Sequence, residues 1–220
     1  MFYTMEVAGL KRELPICPLN DSLSIASFVI LGDPELCEAS ARALLELVDA
    51  DSYDCMFTAE AKSIPLIHEM ARQSGAKRYV VARKGLKAYM TDPVWVEDES
   101  ITTAGKQRLY LGSEEAAFLK GKRVLIVDDV ISTGGSLKAL EKLLDIAGGT
   151  VAGRVAILAE GDAKDRTDIK FLGVLPLFNA DGTIKEKRNC SPPRRDRRGG
   201  VVYYLRRLMM ASVSRAAPSR

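Results

Sequence analysis

After Asp33-Pro34-Glu35 the apolar residues Leu36, Ala39, Ala43, Leu44 and Leu47 recur at helical spacing, which predicts a helix over residues 34–48 with one buried face. Asp33 is placed to cap it, with a proline at the first helical position and an acid in the first turn. Residues 53–57 read as a short buried strand, 58–63 as a turn, 65–73 as a helix stopped by Gly75, and 79–82 as another strand. That is a β-α-β unit, and its crossover makes the two strands parallel. A second unit follows. Residues 124–127 are an apolar run too short for a helix, 136–147 carry Leu137, Leu140, Leu143 and Leu144 on one helical face before Gly148-Gly149, and 155–158 are apolar again. Residues 171–178 predict an edge strand interrupted by Pro176, and the loose alternation of 89–111 predicts an antiparallel excursion or flap. Two such units predict an α/β fold: a single open, mostly parallel sheet with helices on both faces.

Composition narrows the class. A 220-residue chain that is 47% apolar and 28% charged has room for one domain with a core, and it is neither a disordered chain nor a disulfide scaffold. The longest stretch without Asp, Glu, Lys or Arg, residues 22–32, falls far short of the ~20 apolar residues of a membrane span. The first fourteen residues carry Glu6, Lys11, Arg12 and Glu13 and lack the apolar centre of a secretory signal, so the expected compartment is the cytoplasm. Cys17, Cys37, Cys55 and Cys190 form no Cys-x-x-Cys pair and read as idle thiols. His68 is the single histidine, and without a Gly-x-Ser-x-Gly turn it does not support a Ser-His-Asp hydrolase.

The net charge of +3 hides an asymmetry, because residues 185–220 hold eleven Lys and Arg against two acids. The preceding 184 residues are therefore net acidic, with bases interspersed among acids, and they show no footprint for nucleic acid. The expected organisation is a domain over 1–184 and a flexible basic tail over 185–220, marked by Pro192-Pro193-Arg194-Arg195.

Chemistry concentrates at one turn. In an open parallel sheet, ligands bind beyond the carboxyl ends of the strands, which is where residues 128–136 fall. Ser132, Thr133, Gly134, Gly135 and Ser136 offer hydroxyls and successive backbone N–H groups at a helix start, a cradle for phosphate. Asp128 and Asp129 would repel a phosphate, so they face a neutral diol, a cation, or positive charge that develops during reaction. A ribose 5-phosphate satisfies both halves. An NTPase reading of the same strand fails, because no Gly-x-x-x-x-Gly-Lys-[Ser/Thr] occurs.

The segment Val124-Leu-Ile-Val-Asp-Asp-Val-Ile-Ser-Thr-Gly-Gly-Ser136 resembles, along its whole length, the thirteen-residue phosphoribosyl-pyrophosphate (PRPP) signature of type I phosphoribosyltransferases. The likeness extends over roughly residues 6–181. It implies a pyrophosphate loop at Glu60, Ala61, Lys62 and Ser63, with Lys62 meeting the leaving group. Arg83-Lys84-x-x-Lys87 resembles the basic loop of adenine phosphoribosyltransferases, although Leu86 and Tyr89 stand where that family has glycine and proline. The resemblance further implies an N-terminal hood over residues 1–33 whose Ile25, Phe28 and Val29 wall the base, and a mobile lid over 89–111. Within the lid, Glu99 approaches the base and joins Asp128 and Asp129 as catalytic. Mg²⁺ is implied as cofactor, held mainly by substrate and water with Asp128 and Asp129 close by, and a homodimer is implied too. The segment from Ser27-Phe28 to Asp33-Pro34 is similar to the adenine-enzyme hood, which puts adenine ahead of other purines. Two alternatives stay open at this point: an orotate phosphoribosyltransferase, and a PRPP-sensing regulator on the same fold.

Overall fold

The computed structural model describes residues 1–98 and 107–185. β1 (Phe2–Val7) and β2 (Leu10–Asn20) pair antiparallel, with Met5 and Val7 buried while Thr4 and Glu6 face outward. Ala8 and Gly9 make the turn at φ of 51° and 76°, the left-handed pair that a two-residue hairpin needs. β3 (Leu23–Ala26) adds to β2. α1 (Pro34–Glu46) starts where its cap predicts: the Asp33 carboxylate accepts from Leu36 N at 3.1 Å. Leu36, Cys37, Ala41 and Leu44 form its buried face.

β4 (Cys55–Ala59) is buried over its first four residues, the near-continuous apolar run of a strand covered on both faces. α2 (Ile64–Ser74) ends at Gly75 in the left-handed region, and β5 (Val80–Ala82) lies parallel to β4. β6 (Val94–Asp98) and β7 (Gln107–Leu111) form the antiparallel excursion. Val96, Leu109 and Leu111 are core residues, so the described part of this hairpin is anchored in the body. After α3 (Ser113–Leu119), β8 (Arg123–Ile131), α4 (Gly135–Ile146) and β9 (Thr150–Glu160) complete the second unit. β10 (Lys170–Leu175) closes the parallel sheet and β11 (Leu177–Phe178) leaves it.

The parallel sheet runs β10-β9-β8-β4-β5. Successive residues of β8 serve opposite faces: Leu125 and Val127 pack with Leu44, Leu66 and Ile67 of α1 and α2, whereas Val124 and Ile126 pack with Leu137 and Leu140 of α4. Each face of the sheet therefore has its own core, and both cores hold the carboxyl ends of β4, β8 and β9 at one edge.

Three expectations need correction. The sheet is not single: β1, β2, β3 and β11 build a second, antiparallel sheet, called the hood below. β8 does not stop at Val127 but pairs with β9 as far as Ile131, carrying both aspartates inside the strand, with the Ser63 hydroxyl and the Lys62 ammonium beside their carboxylates. The final strand does not merely stutter at Pro176. Lacking an N–H, the proline ends one pairing, and Leu177 and Phe178 cross to β3 in the other sheet. Among the described residues no helix is long and apolar enough to cross a membrane. Cys17 is exposed, Cys37 and Cys55 are buried, and all three are free thiols. His68 lies on the surface, 3.3 Å from the Tyr79 hydroxyl. Glu99, Cys190 and the tail beyond Lys185 lie outside the described residues.

Candidate active site

The strand ends of the parallel sheet and the hood enclose a cleft of about 430 Å³. Asp128 and Asp129 are held at its floor by Ser63, the N-cap residue of α2. Its hydroxyl does not cap the helix; it lies 2.8 Å from Asp128 Oδ1 and 3.1 Å from Asp129 Oδ1 and accepts from Asp129 N at 2.9 Å. Asp129 is 5% exposed, and its Oδ2 faces Lys62 Nζ at 3.0 Å. Burial, and then the neighbouring Asp129 charge, push the Asp128 carboxyl well above the ordinary carboxylate range. Such a pair gains from any cation placed against it. The two aspartates offer only hard oxygen donors, which suits Mg²⁺. No third acid, histidine or cysteine joins them in a metal-holding cluster among the described residues, so the remaining ligands of an ion would come from substrate and water.

The loop beyond the acids opens onto the same cleft. Ser132, Thr133, Gly134, Gly135 and Ser136 all line the cleft. Gly134 caps α4 at φ 78°, and a Cβ there would also meet Arg166 Nη1 at 2.8 Å. The Arg166 guanidinium thus lies against this loop, its other nitrogens bonded to Asp168, whose carboxyl it holds down at about 2.

The second basic segment is only partly in the cleft. Glu60, Ala61, Lys62, Ser63 and Lys84 line it, whereas Arg83 and Lys87 do not. Glu60 explains the difference. Its Oε2 accepts from Lys84 N at 2.9 Å and its Oε1 pairs with Arg83 Nη2 at 3.2 Å, while Arg83 Nη1 donates to the Tyr89 hydroxyl at 2.9 Å. Burial would raise the Glu60 carboxyl, but these donors hold it below the usual range. Glu60 braces the basic loop and holds the Arg83 guanidinium to itself. Ile25, Phe28 and Val29 reach the cleft from the hood, Phe28 as a core residue at 4% exposure and Val29 at 51%. Glu160, at the end of β9, also lines the cleft. Neither Glu160 nor Arg166 is signalled by a local motif: each is brought in by the register of β9 beside β8 and by the turn that follows.

Fold and site together define an α/β protein with a glycine- and hydroxyl-rich loop and an acid pair at the mouth of a parallel sheet. The phosphoribosyl transferase domain family matches residues 30–183, and the chain belongs to that family. A hypoxanthine/guanine phosphoribosyltransferase of Methanotorris igneus is 31% identical over 173 residues, covering 77% of this chain and 87% of that protein. An adenine phosphoribosyltransferase of Petrotoga mobilis is 27% identical over 79% of this chain and 99% of its own length. The crystal structure of adenine phosphoribosyltransferase from Thermoanaerobacter pseudethanolicus shares the fold, with a TM-score of 0.58 at 22% identity over 73% of this chain and 95% of that one.

Proposed function

We propose that this chain transfers the phosphoribosyl group of PRPP to a ring nitrogen of a purine base, releasing pyrophosphate. The observation that carries the reading is the shared cleft: an acid pair, a hydroxyl-bearing anion cradle and two lysines open onto one volume walled by the hood. A nitrogen lone pair of the base forms the new bond to the anomeric carbon as the bond to pyrophosphate breaks, and the leaving oxygen takes the electron pair. Negative charge grows on the leaving group, where Lys62 and Lys84 receive it; positive charge grows on the sugar, where Asp128 and Asp129 accept from its 2′- and 3′-hydroxyls and stabilise it. Bound Mg²⁺, held by these two carboxylates with water and substrate, would supply further positive charge on the pyrophosphate side. Lys62 has to leave Asp129 for this. Its side chain is 48% exposed but that of Asp129 only 7%, so the exchange requires Mg²⁺ or the sugar hydroxyls to take the place of Lys62 against that buried carboxylate.

Adenine is the base favoured by the hood sequence, whereas relatives named for hypoxanthine/guanine and for adenine both match the chain. The discriminating assay incubates the protein with Mg²⁺, PRPP and each of adenine, guanine, hypoxanthine, xanthine and orotate, and measures pyrophosphate. Release with at least one purine and none with orotate is expected. PRPP binding without release from any base would overturn the reading in favour of a sensor.

A further inference from the structure

The cleft follows the strand order of the parallel sheet. From one edge to the other it meets Lys84 beyond β5, Lys62 beyond β4, the acid pair and cradle of β8, Glu160 at the end of β9, and Leu175 at the end of β10. There the chain passes through β11 to pair with β3, so Leu175 and Glu160 adjoin the hood that contributes Ile25 and Phe28. The lysines suit the leaving pyrophosphate and the β8 loop suits the sugar phosphate, which leaves the β9–β10 end for the base. Among the described residues that line this end, Glu160 is the one ionisable side chain.

A carboxylate there needs a reason, since its neighbours on that side are apolar. Among the described residues Glu160 has no hydrogen-bond or ion-pair partner at contact distance; burial raises its carboxyl and the more distant Lys62 opposes the rise. A half-buried acceptor without a donor is unfavourable until something in the cleft supplies one. A purine edge can do so, and its chemistry is readable: a carboxylate only accepts, so it bonds an amino group and opposes a carbonyl oxygen.

We propose that Glu160 is a specificity-determining residue that accepts a hydrogen bond from an exocyclic amino group of the base, so that aminopurines such as adenine, guanine or 2,6-diaminopurine are preferred over hypoxanthine and xanthine. The proposal rests on the reading of the chain as a purine phosphoribosyltransferase and names the substrate class of that same site.

The test compares wild type with Glu160→Gln and Glu160→Asp on this base panel, with KM and kcat taken separately for base and for PRPP. Thermal melts of each protein accompany the kinetics. Wild type is expected to favour an aminopurine. Glu160→Gln, whose amide also donates, is expected to raise KM for that base on the order of tenfold and to improve hypoxanthine relative to it, with KM for PRPP little moved. Glu160→Asp, which keeps the acceptor, is expected to retain the wild-type ranking. An unaltered ranking in a folded Glu160→Gln protein overturns the role of Glu160 while leaving the activity intact. Wild type inert toward every base overturns the activity and this inference with it. Should Glu160→Gln fail to fold, a wild-type preference for hypoxanthine over all aminopurines overturns the inference, and the reverse preference together with an unchanged ranking in Glu160→Asp supports it.

Discussion

Asp128 bears the cost of the acid pair. Its carboxyl is buried against Asp129, so its protonated form is favoured in the folded chain relative to the unfolded one. The folded state then binds more protons than the unfolded state across the window between the ordinary aspartate value and the raised one, and stability falls as pH rises through that window. Asp128→Asn removes the penalty. We expect a higher Tm than wild type at pH 8, a difference that shrinks by pH 4, and turnover lowered on the order of 10² or more through the lost contact with the sugar. A lower Tm at pH 8 would show that the hydrogen bond to Ser63 outweighs the charge. These two aspartates stood out in the sequence as a candidate pair because a couplet of acids cannot serve an apolar strand end for packing. Ser63 was expected in the pyrophosphate loop, and its contact with the aspartates was not legible, since its hydroxyl reaches them from a position 65 residues earlier in the chain.

Between elements, Arg12 of β2 ties the hood to α1. Its guanidinium bonds Asp33 at 2.6 and 3.0 Å and Glu35 at 2.8 Å. Asp33 does two things at once, because the same carboxylate caps Leu36 N. Asp33→Ala should therefore lower stability by more than Arg12→Ala, the extra being the N-cap at about 1 kcal/mol. Urea midpoints of the two variants measure this, and equal losses would mean that the cap contributes nothing here. The start of α1 was readable because its cap is local. The hood was not read as a sheet, although Thr4-Met5-Glu6-Val7 before Ala8-Gly9 alternates with period two; four residues of alternation are short, and what they cover is decided by β11, which arrives from beyond residue 176.

For the molecule as a whole, residues Met1–Lys185 form one compact unit, and its last backbone bond joins Lys185 N to Leu177 O at 2.7 Å. A chain ending at Lys185 is expected to fold with a cooperative melt and to retain turnover, which circular dichroism and the pyrophosphate assay would check. Aggregation of that truncate would show the basic segment to be structural. The two packed faces of the parallel sheet account for the expected tolerance. Every strand end that reaches the cleft is fixed by cores built from residues before position 179.

Local patterning along the chain was enough for the β-α-β units, the cap of α1, and the placing of the acid couplet and the glycine-hydroxyl loop at a strand end, because each depends on neighbours within one turn or one strand. Long-range pairing settled the rest: the hood as a second sheet, β8 extended through the aspartates, Arg83 drawn to Glu60 and away from the cleft, and Glu160 set at its hood end. Those contacts join residues dozens of positions apart, and their energies exist only once hydrogen-bonded strands and two cores have brought the partners into reach.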